Sequence, residues 1–114
     1  MPIQSWSENI VLVELQNDPV FSDDLNAVVD ECQNDGAARD VVLDFANVTR
    51  LNSSNIAQLL KLRKVVTINY GRKMKLCAMS SHVWGVLLVT GLEKVFDFAD
   101  DVATGLAAIQ IDAQ

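Results

Sequence analysis

The segment from Asp40 to Asn55, DVVLDFANVTRLNSSN, constrains the fold more than any other part of the chain. Val41, Val42, Leu43 and Phe45 form a near-continuous apolar run, the pattern of a strand buried on both faces. A short polar connection follows, and then a serine pair, Ser53 and Ser54, opens a stretch in which Ile56, Leu59, Leu60 and Val66 fall near a helical period. A buried strand feeding directly into an amphipathic helix is half of a β-α-β unit, which calls for a parallel neighbour strand and a right-handed crossover. The hydroxyls at the junction sit at the positive end of the helix, among free backbone N–H groups, so their default role is capping.

The same alternation runs through the rest of the chain. Ile3 to Glu8 reads as a short strand, Asn9 as a turn, and Ile10 to Leu15 (IVLVEL) as a stronger strand, together a hairpin. Gln16-Asn17-Asp18-Pro19 breaks the pattern. Ser22 is the expected N-cap of the first helix, with Asp23 and Asp24 in its first turn; Leu25, Val28, Val29 and Cys32 form one stripe, and Gly36 is the expected stop. The second helix is predicted from Ser53 to Asn69, ended by Tyr70-Gly71. Met74 to Met79 is the next strand. Ser81 is expected to cap a third helix that ends at Gly91. Val95 to Phe98 is a short last strand, and Asp100 and Asp101 open a final helix carrying Val102, Leu106 and Ile109. Gly105 should weaken that helix by about 1 kcal/mol relative to alanine. The order β-β-α-β-α-β-α-β-α predicts an α/β fold, a mixed, mostly parallel sheet flanked by helices. The length of 114 residues suits one domain, 1–114.

Composition narrows the function. The net charge of −6 argues against nonspecific nucleic-acid binding. The apolar runs are too short to span a bilayer, and no basic, apolar leader pattern stands at the N-terminus, so the chain reads as cytoplasmic with no membrane partner. Cys32 and Cys77 fall in apolar stripes without a C-x-x-C, and there is one histidine, which reads as two reduced thiols and no metal site. Six of the nine basic residues (Lys61, Arg63, Lys64, Arg72, Lys73, Lys75) lie between Lys61 and Lys75 with no acidic residue between them. That run is either a solvated helix end and strand edge or a basic patch facing an acidic partner.

Catalytic signatures are missing. No phosphate-binding G-x-x-x-x-G-K-[ST] or G-x-G-x-x-G occurs, and no G-x-S-x-G elbow, so His82 beside Ser80 and Ser81 reads as a cap and not as half of a catalytic pair. Asp40 and Asp44 flank one strand like the acidic pocket of a receiver domain, but Glu14-Leu15-Gln16 does not supply the acidic pair such a pocket needs. Asp44 reads instead as an acceptor for loop N–H groups. Trp6 and Trp84 are expected in the core. The chain therefore reads as a non-enzyme with no cofactor.

The order of elements and three short segments resemble the STAS family, the domain of anti-sigma factor antagonists and of the cytoplasmic tails of sulfate transporters. Leu43-Asp44-Phe45 followed by Asn52-Ser53-Ser54-Asn55 is similar to the family's strand ending in Asp and its Asp-Ser-Ser/Thr-Gly helix start. Lys73 to Cys77 with Ser80-Ser81-His82-Val83-Trp84 resembles its next strand and helix start, and Thr90-Gly91-Leu92-Glu93-Lys94-Val95-Phe96 its Thr-Gly-Leu signature. The resemblance covers nearly the whole chain and implies an anti-sigma factor antagonist-like protein that binds an anti-sigma factor or serine kinase-like partner. The contact surface would comprise Asn52, Ser53, Ser54, Asn55, Gln58 and Lys61. Ser53 would be the phosphoacceptor, with Ser54 the alternative, and any ATP would belong to the partner. Asn52 replaces the family's Asp and Asn55 its Gly, which keeps open a second reading as an unphosphorylated scaffold or interaction module. The exposed edge of the first hairpin could also pair with another copy.

Overall fold

The computed structural model describes residues 3–34 and 39–112. Five strands, β1 (Ile3–Ser5), β2 (Ile10–Gln16), β3 (Asp40–Asn47), β4 (Met74–Cys77) and β5 (Asp97–Ala99), form one sheet in the order β1-β2-β3-β4-β5. β1 runs antiparallel to β2, and all other pairings are parallel. Register aligns the apolar layers, with Val13 opposite Leu43 and Leu43 opposite Leu76. Helices α1 (Val20–Asn34), α2 (Ser53–Arg63) and α3 (Ser81–Val89) link the parallel strands, and α4 (Val102–Asp112) follows β5. The single α/β domain with a mixed sheet is the architecture expected from the alternating pattern.

The continuous apolar runs of β2 and β3 are explained by burial on both faces. Val11, Val13, Leu15, Val41, Leu43, Phe45, Met74 and Leu76 face the larger core, packed against Leu25, Val28 and Val29 of α1, Leu59 and Leu62 of α2 and Val83 of α3. Ile10, Leu12, Val42 and Cys77 face the other side and meet Leu106 and Ile109 of α4. Right-handed crossovers between successive neighbouring strands put α1, α2 and α3 on one face. α4, which follows β5, covers the other. Gly105 proves to be a packing requirement: a Cβ there would lie 2.5 Å from Cys77 Sγ. The helix-propensity cost of this glycine accompanies a close approach of α4 to β4.

Several boundaries differ from expectation. β1 ends at Ser5, β4 at Cys77, and β5 lies at 97–99 after a 3₁₀ turn, Leu92–Lys94. Ala78, just past β4, takes a left-handed φ of 61°. The second helix is α-helical only to Arg63 and continues as a π-helical turn, Lys64–Asn69, in which Thr67 Oγ1 donates to Arg63 O at 2.7 Å. Gly71, at φ 65°, then reverses the chain. The expected stop at Gly36 lies outside the described residues. Trp6 and Trp84 are 43% and 36% exposed, so the expectation that they fill the core is corrected. Trp84 instead meets Phe98 edge-on, with ring centroids 4.9 Å apart. Both cysteines are free thiols; burial first, then the carboxylates of Asp44 and Asp101, push the Cys77 thiol up to about 11.

Candidate functional site

Parallel α/β sheets place loops and helix N-termini together beyond the carboxyl ends of their strands. Here that edge gathers the β2–α1 loop (Asn17, Asp18), the β3–α2 loop (Thr49 to Asn52) and the start of α3. α2 is capped by Asn52, whose Oδ1 accepts from Asn55 N at 2.8 Å, while Asn55 Oδ1 accepts from Asn52 N at 3.1 Å. This reciprocal capping box satisfies two backbone N–H groups, one of them among the free donors of the first turn. The expectation that the serines cap the helix is corrected. Ser53 and Ser54 are exposed, and neither hydroxyl has a hydrogen-bond partner among the described residues.

Asp18 ties this junction to α1. Its Oδ1 accepts from Ser22 Oγ at 2.6 Å and Ser22 N at 3.0 Å. Its Oδ2 accepts from Asn52 Nδ2 and Asn55 Nδ2, each at 2.9 Å. Asp18 thus serves the N-terminus of α1 that Ser22 was expected to cap; the helix begins at Val20, three residues before the start at Asp23 that a Ser22 cap implies. The Ser22 hydroxyl foremost, then the Asn52 and Asn55 amides and the Ser22 N–H, favour the ionised carboxylate and lower the Asp18 pKa from 3.8 to about 2. Asn17, next in sequence, accepts at Oδ1 from Thr49 N at 3.0 Å and Arg50 N at 3.3 Å, and donates from Nδ2 to Thr49 Oγ1 at 2.9 Å. Two adjacent residues of one loop therefore fasten the other loop on both sides.

The structure distributes the expected contact residues over two layers. Asn52, Ser53, Ser54 and Lys61 lie on the exposed side of α2. Asn55 is 2% exposed and turned inward, so its side chain acts on the junction and presents nothing to a partner. Gln58 is half-buried; its Oε1 lies 3.3 Å from Ser22 Oγ and 3.4 Å from Asn55 Nδ2. The basic run is partly absorbed by the fold. Arg63 Nε donates to Val95 O at 3.1 Å, and Arg72 Nε lies 3.1 Å from the buried Asp40 carboxylate. Lys61 and Lys64 remain exposed. Asp44 accepts from a backbone N–H, that of Ala46 at 2.9 Å, but the donor lies within β3 itself and not in the following loop, which corrects the loop-acceptor role read for it.

α3 is capped by Ser80, not by Ser81 as expected: Ser80 Oγ accepts from Val83 N at 3.3 Å and faces Val48 O at 3.5 Å. Its hydroxyl is therefore committed to backbone groups, and His82 is exposed in the first turn. Among the described residues no group of three or more His, Cys, Asp or Glu is arranged to hold a metal, and no helix is long and apolar enough to cross a membrane. The reading of the sequence missed Asn17 and Asp18. Their signal was present as an Asn-Asp-Pro turn, since Asx side chains in turns habitually bind backbone N–H groups, but the partners across the chain had no local trace.

The STAS domain family model matches residues 8–105 of the chain. No curated protein shows significant sequence similarity to it. Among solved structures, the chain is similar to the Thermotoga maritima protein TM1081 (TM-score 0.81, 18% identity, 96% of this chain and 93% of that one). It is similar to an anti-sigma-factor antagonist (STAS) domain protein from Planctomyces limnophilus (0.79, 18%, 95% and 97%). It also matches the anti-sigma factor antagonist SpoIIAA in its unphosphorylated form (0.74, 16%, 98% and 96%) and, as the Bacillus cell fate determinant, in its phosphorylated form (0.65, 16%, 86% and 89%). At these identities the likeness is one of fold.

Proposed function

The chain belongs to the STAS domain family, and on that premise we propose that it is an anti-sigma factor antagonist-like regulatory protein, a binding module that docks a protein partner of the anti-sigma factor or serine kinase kind. The contact surface is the start and outer face of α2, where Asn52, Ser53, Ser54 and Lys61 are exposed. Ser53 is the phosphoacceptor and Ser54 the alternative. The chain itself carries out no reaction in this reading, and any nucleotide belongs to the partner. The setting is the cytoplasm.

The observation that supports a switch is the division of labour at the α2 N-terminus. Capping rests on Asn52 and Asn55, which leaves the exposed Ser53 hydroxyl without a hydrogen bond among the described residues. A phosphate there would meet free N–H groups and the positive end of the helix, so the fold tolerates it. It would also add about −1.5 to −2 charges, enough to prevent docking of a surface that buries it. SpoIIAA, which shares this fold, is known in unphosphorylated and phosphorylated forms, and that precedent supports the reading.

A second reading, an interaction module that is not phosphorylated, draws on Asn52 and Asn55 themselves, where the family carries Asp and Gly. Both are engaged in the Asp18 network, so this junction is built differently around the serines. Incubation with ATP and the anti-sigma-type serine kinases of its own cell, followed by mass spectrometry with Ser53→Ala as control, separates the two. Phosphate on Ser53 with loss of partner binding is expected. A kinase that binds the protein yet leaves it unmodified would establish the second reading.

A further inference from the structure

We propose that Asp18 is the positioning residue of the Ser53 site, supplying from the β2–α1 loop the carboxylate that position 52 does not carry. The inference rests on the reading of Ser53 as the recognised residue and names what holds it in place.

The two oxygens of Asp18 have separate duties. Oδ1 takes both donors of Ser22, and Oδ2 takes the side-chain amides of Asn52 and Asn55. Asn52 directly precedes Ser53 and is its N-cap, with Oδ1 already given to Asn55 N. An amide has distinct ends, so fixing the Asn52 Nδ2 end on Asp18 fixes which end caps the helix. Asn55, 2% exposed, is oriented the same way: Nδ2 to Asp18, Oδ1 to Asn52 N. Asp18 therefore sets the backbone of Ser53 through the residues on either side of the serine pair. Only an acceptor with no hydrogen on Oδ2 can serve two amides at once. An amide at 18 would set N–H against N–H at that oxygen, while its remaining oxygen could still serve Ser22.

The polarity of the pair is reversible in principle. With an amide at 18 and a carboxylate at 52, position 18 donates and position 52 accepts, position 52 still caps Asn55 N, and a negative charge stays beside Ser53; Asn55 Nδ2 loses its acceptor at 18 and keeps Gln58 Oε1, 3.4 Å away, so the swap restores the Asn52 side of the network and not the Asn55 side. Loss on Asp18→Asn and recovery on adding Asn52→Asp is thus a signature that general loosening of a loop would not produce.

The test uses the full chain as wild type, Asp18→Asn and Asp18→Asn/Asn52→Asp. Two readouts are taken: ¹H–¹⁵N NMR of the Ser53 and Ser54 backbone N–H groups, and the rate of phosphorylation by the anti-sigma-type serine kinases of the same cell with ATP. In Asp18→Asn the Ser53 and Ser54 resonances shift and phosphorylation falls at least tenfold; the double variant recovers part of both, because the contact to position 52 is restored and the contact to Asn55 Nδ2 is not. Unchanged Ser53 and Ser54 resonances in a folded Asp18→Asn protein, or a double variant no better than the single, would overturn the proposal. If Asp18→Asn does not fold, a folded double variant with near wild-type Ser53 resonances supports it, and a double variant that is unfolded or displaced at Ser53 overturns it. A wild-type protein that no kinase modifies defeats the phosphorylation switch alone; the NMR comparison still decides the role of Asp18.

Discussion

α2 and α3 both start at the carboxyl edge of the sheet, shortly after a parallel strand and beside a serine pair, yet they are held there very differently. The start of α2 is bound by a reciprocal cap and by a carboxylate delivered from another loop, so that α1, α2 and two connections form one unit. The start of α3 has a single serine cap and one long contact to Val48 O. The surfaces differ accordingly. α2 presents hydroxyls and Lys61, whereas α3 presents Trp84, Leu88 and Val89, the last 88% exposed. The lesson is that a polar residue at a helix start says little by itself. How firmly the junction is tied depends on what reaches it from a third element: at α2 one carboxylate takes four hydrogen bonds, two from the junction and two from α1, whereas α3 receives one long contact, to Val48 O.

The contrast can be broken most severely at Asn55. Its side chain is buried and bonded at both ends, so Asn55→Ala leaves Asn52 N and one amide site of Asp18 unserved and should cost about 2 kcal/mol in urea unfolding. A loss no larger than that of a surface substitution would show that the network adds nothing to the cap.

Acid should dissolve the same platform selectively. The pKa of Asp18 is depressed to about 2 in the folded protein against 3.8 otherwise. A depressed carboxylate contributes stability that is fully present above about pH 4 and lost as pH falls through 3.8 toward 2. After allowance for solvent screening the contribution is about 1 kcal/mol. Asp18→Ala should thus differ from wild type at pH 7, with the gap narrowing as pH falls through 3.8 and closing only below about pH 2. A gap independent of pH would place the effect in packing.

The α3 junction offers the smaller effect. Ser80→Ala removes a lone cap and should cost about 1 kcal/mol, with no displacement of Ser53 in NMR spectra. Smallest of all, Ser53→Ala should change stability by less than about 0.5 kcal/mol, because the exposed hydroxyl has no hydrogen bond to lose among the described residues. A larger loss would mean that Ser53 takes part in the cap after all.

Much of the fold was legible from patterns of period. The apolar runs of β2 and β3, the Leu25-Val28-Val29-Cys32 stripe and the alternation of elements correspond to the sheet and helices observed. Errors gathered where local chemistry was ambiguous. Ser22 and Ser81 looked like caps, but Asp18 and Ser80 do the work, because several neighbouring polar residues could serve and tertiary position chose among them. The tryptophans were misplaced because hydrophobicity does not state which face of an element meets a neighbour. Gly105 looked like a local weakness, and its reason lies on β4, 28 positions earlier in the chain, at Cys77.

At the candidate site the same division holds. The sequence by itself determined that serines would stand at a strand-to-helix junction, since a buried strand followed by a helical stripe leaves few places for the turn. It also determined the alternating order from which a mostly parallel sheet follows. Only the tertiary structure decided that Asn52 and Asn55 cap each other, that Asn55 turns inward, and that Asp18 reaches them from 34 and 37 positions away. Periodicity is a property of consecutive residues and survives in the sequence. A hydrogen bond between two loops depends on where the sheet brings their strands to an end.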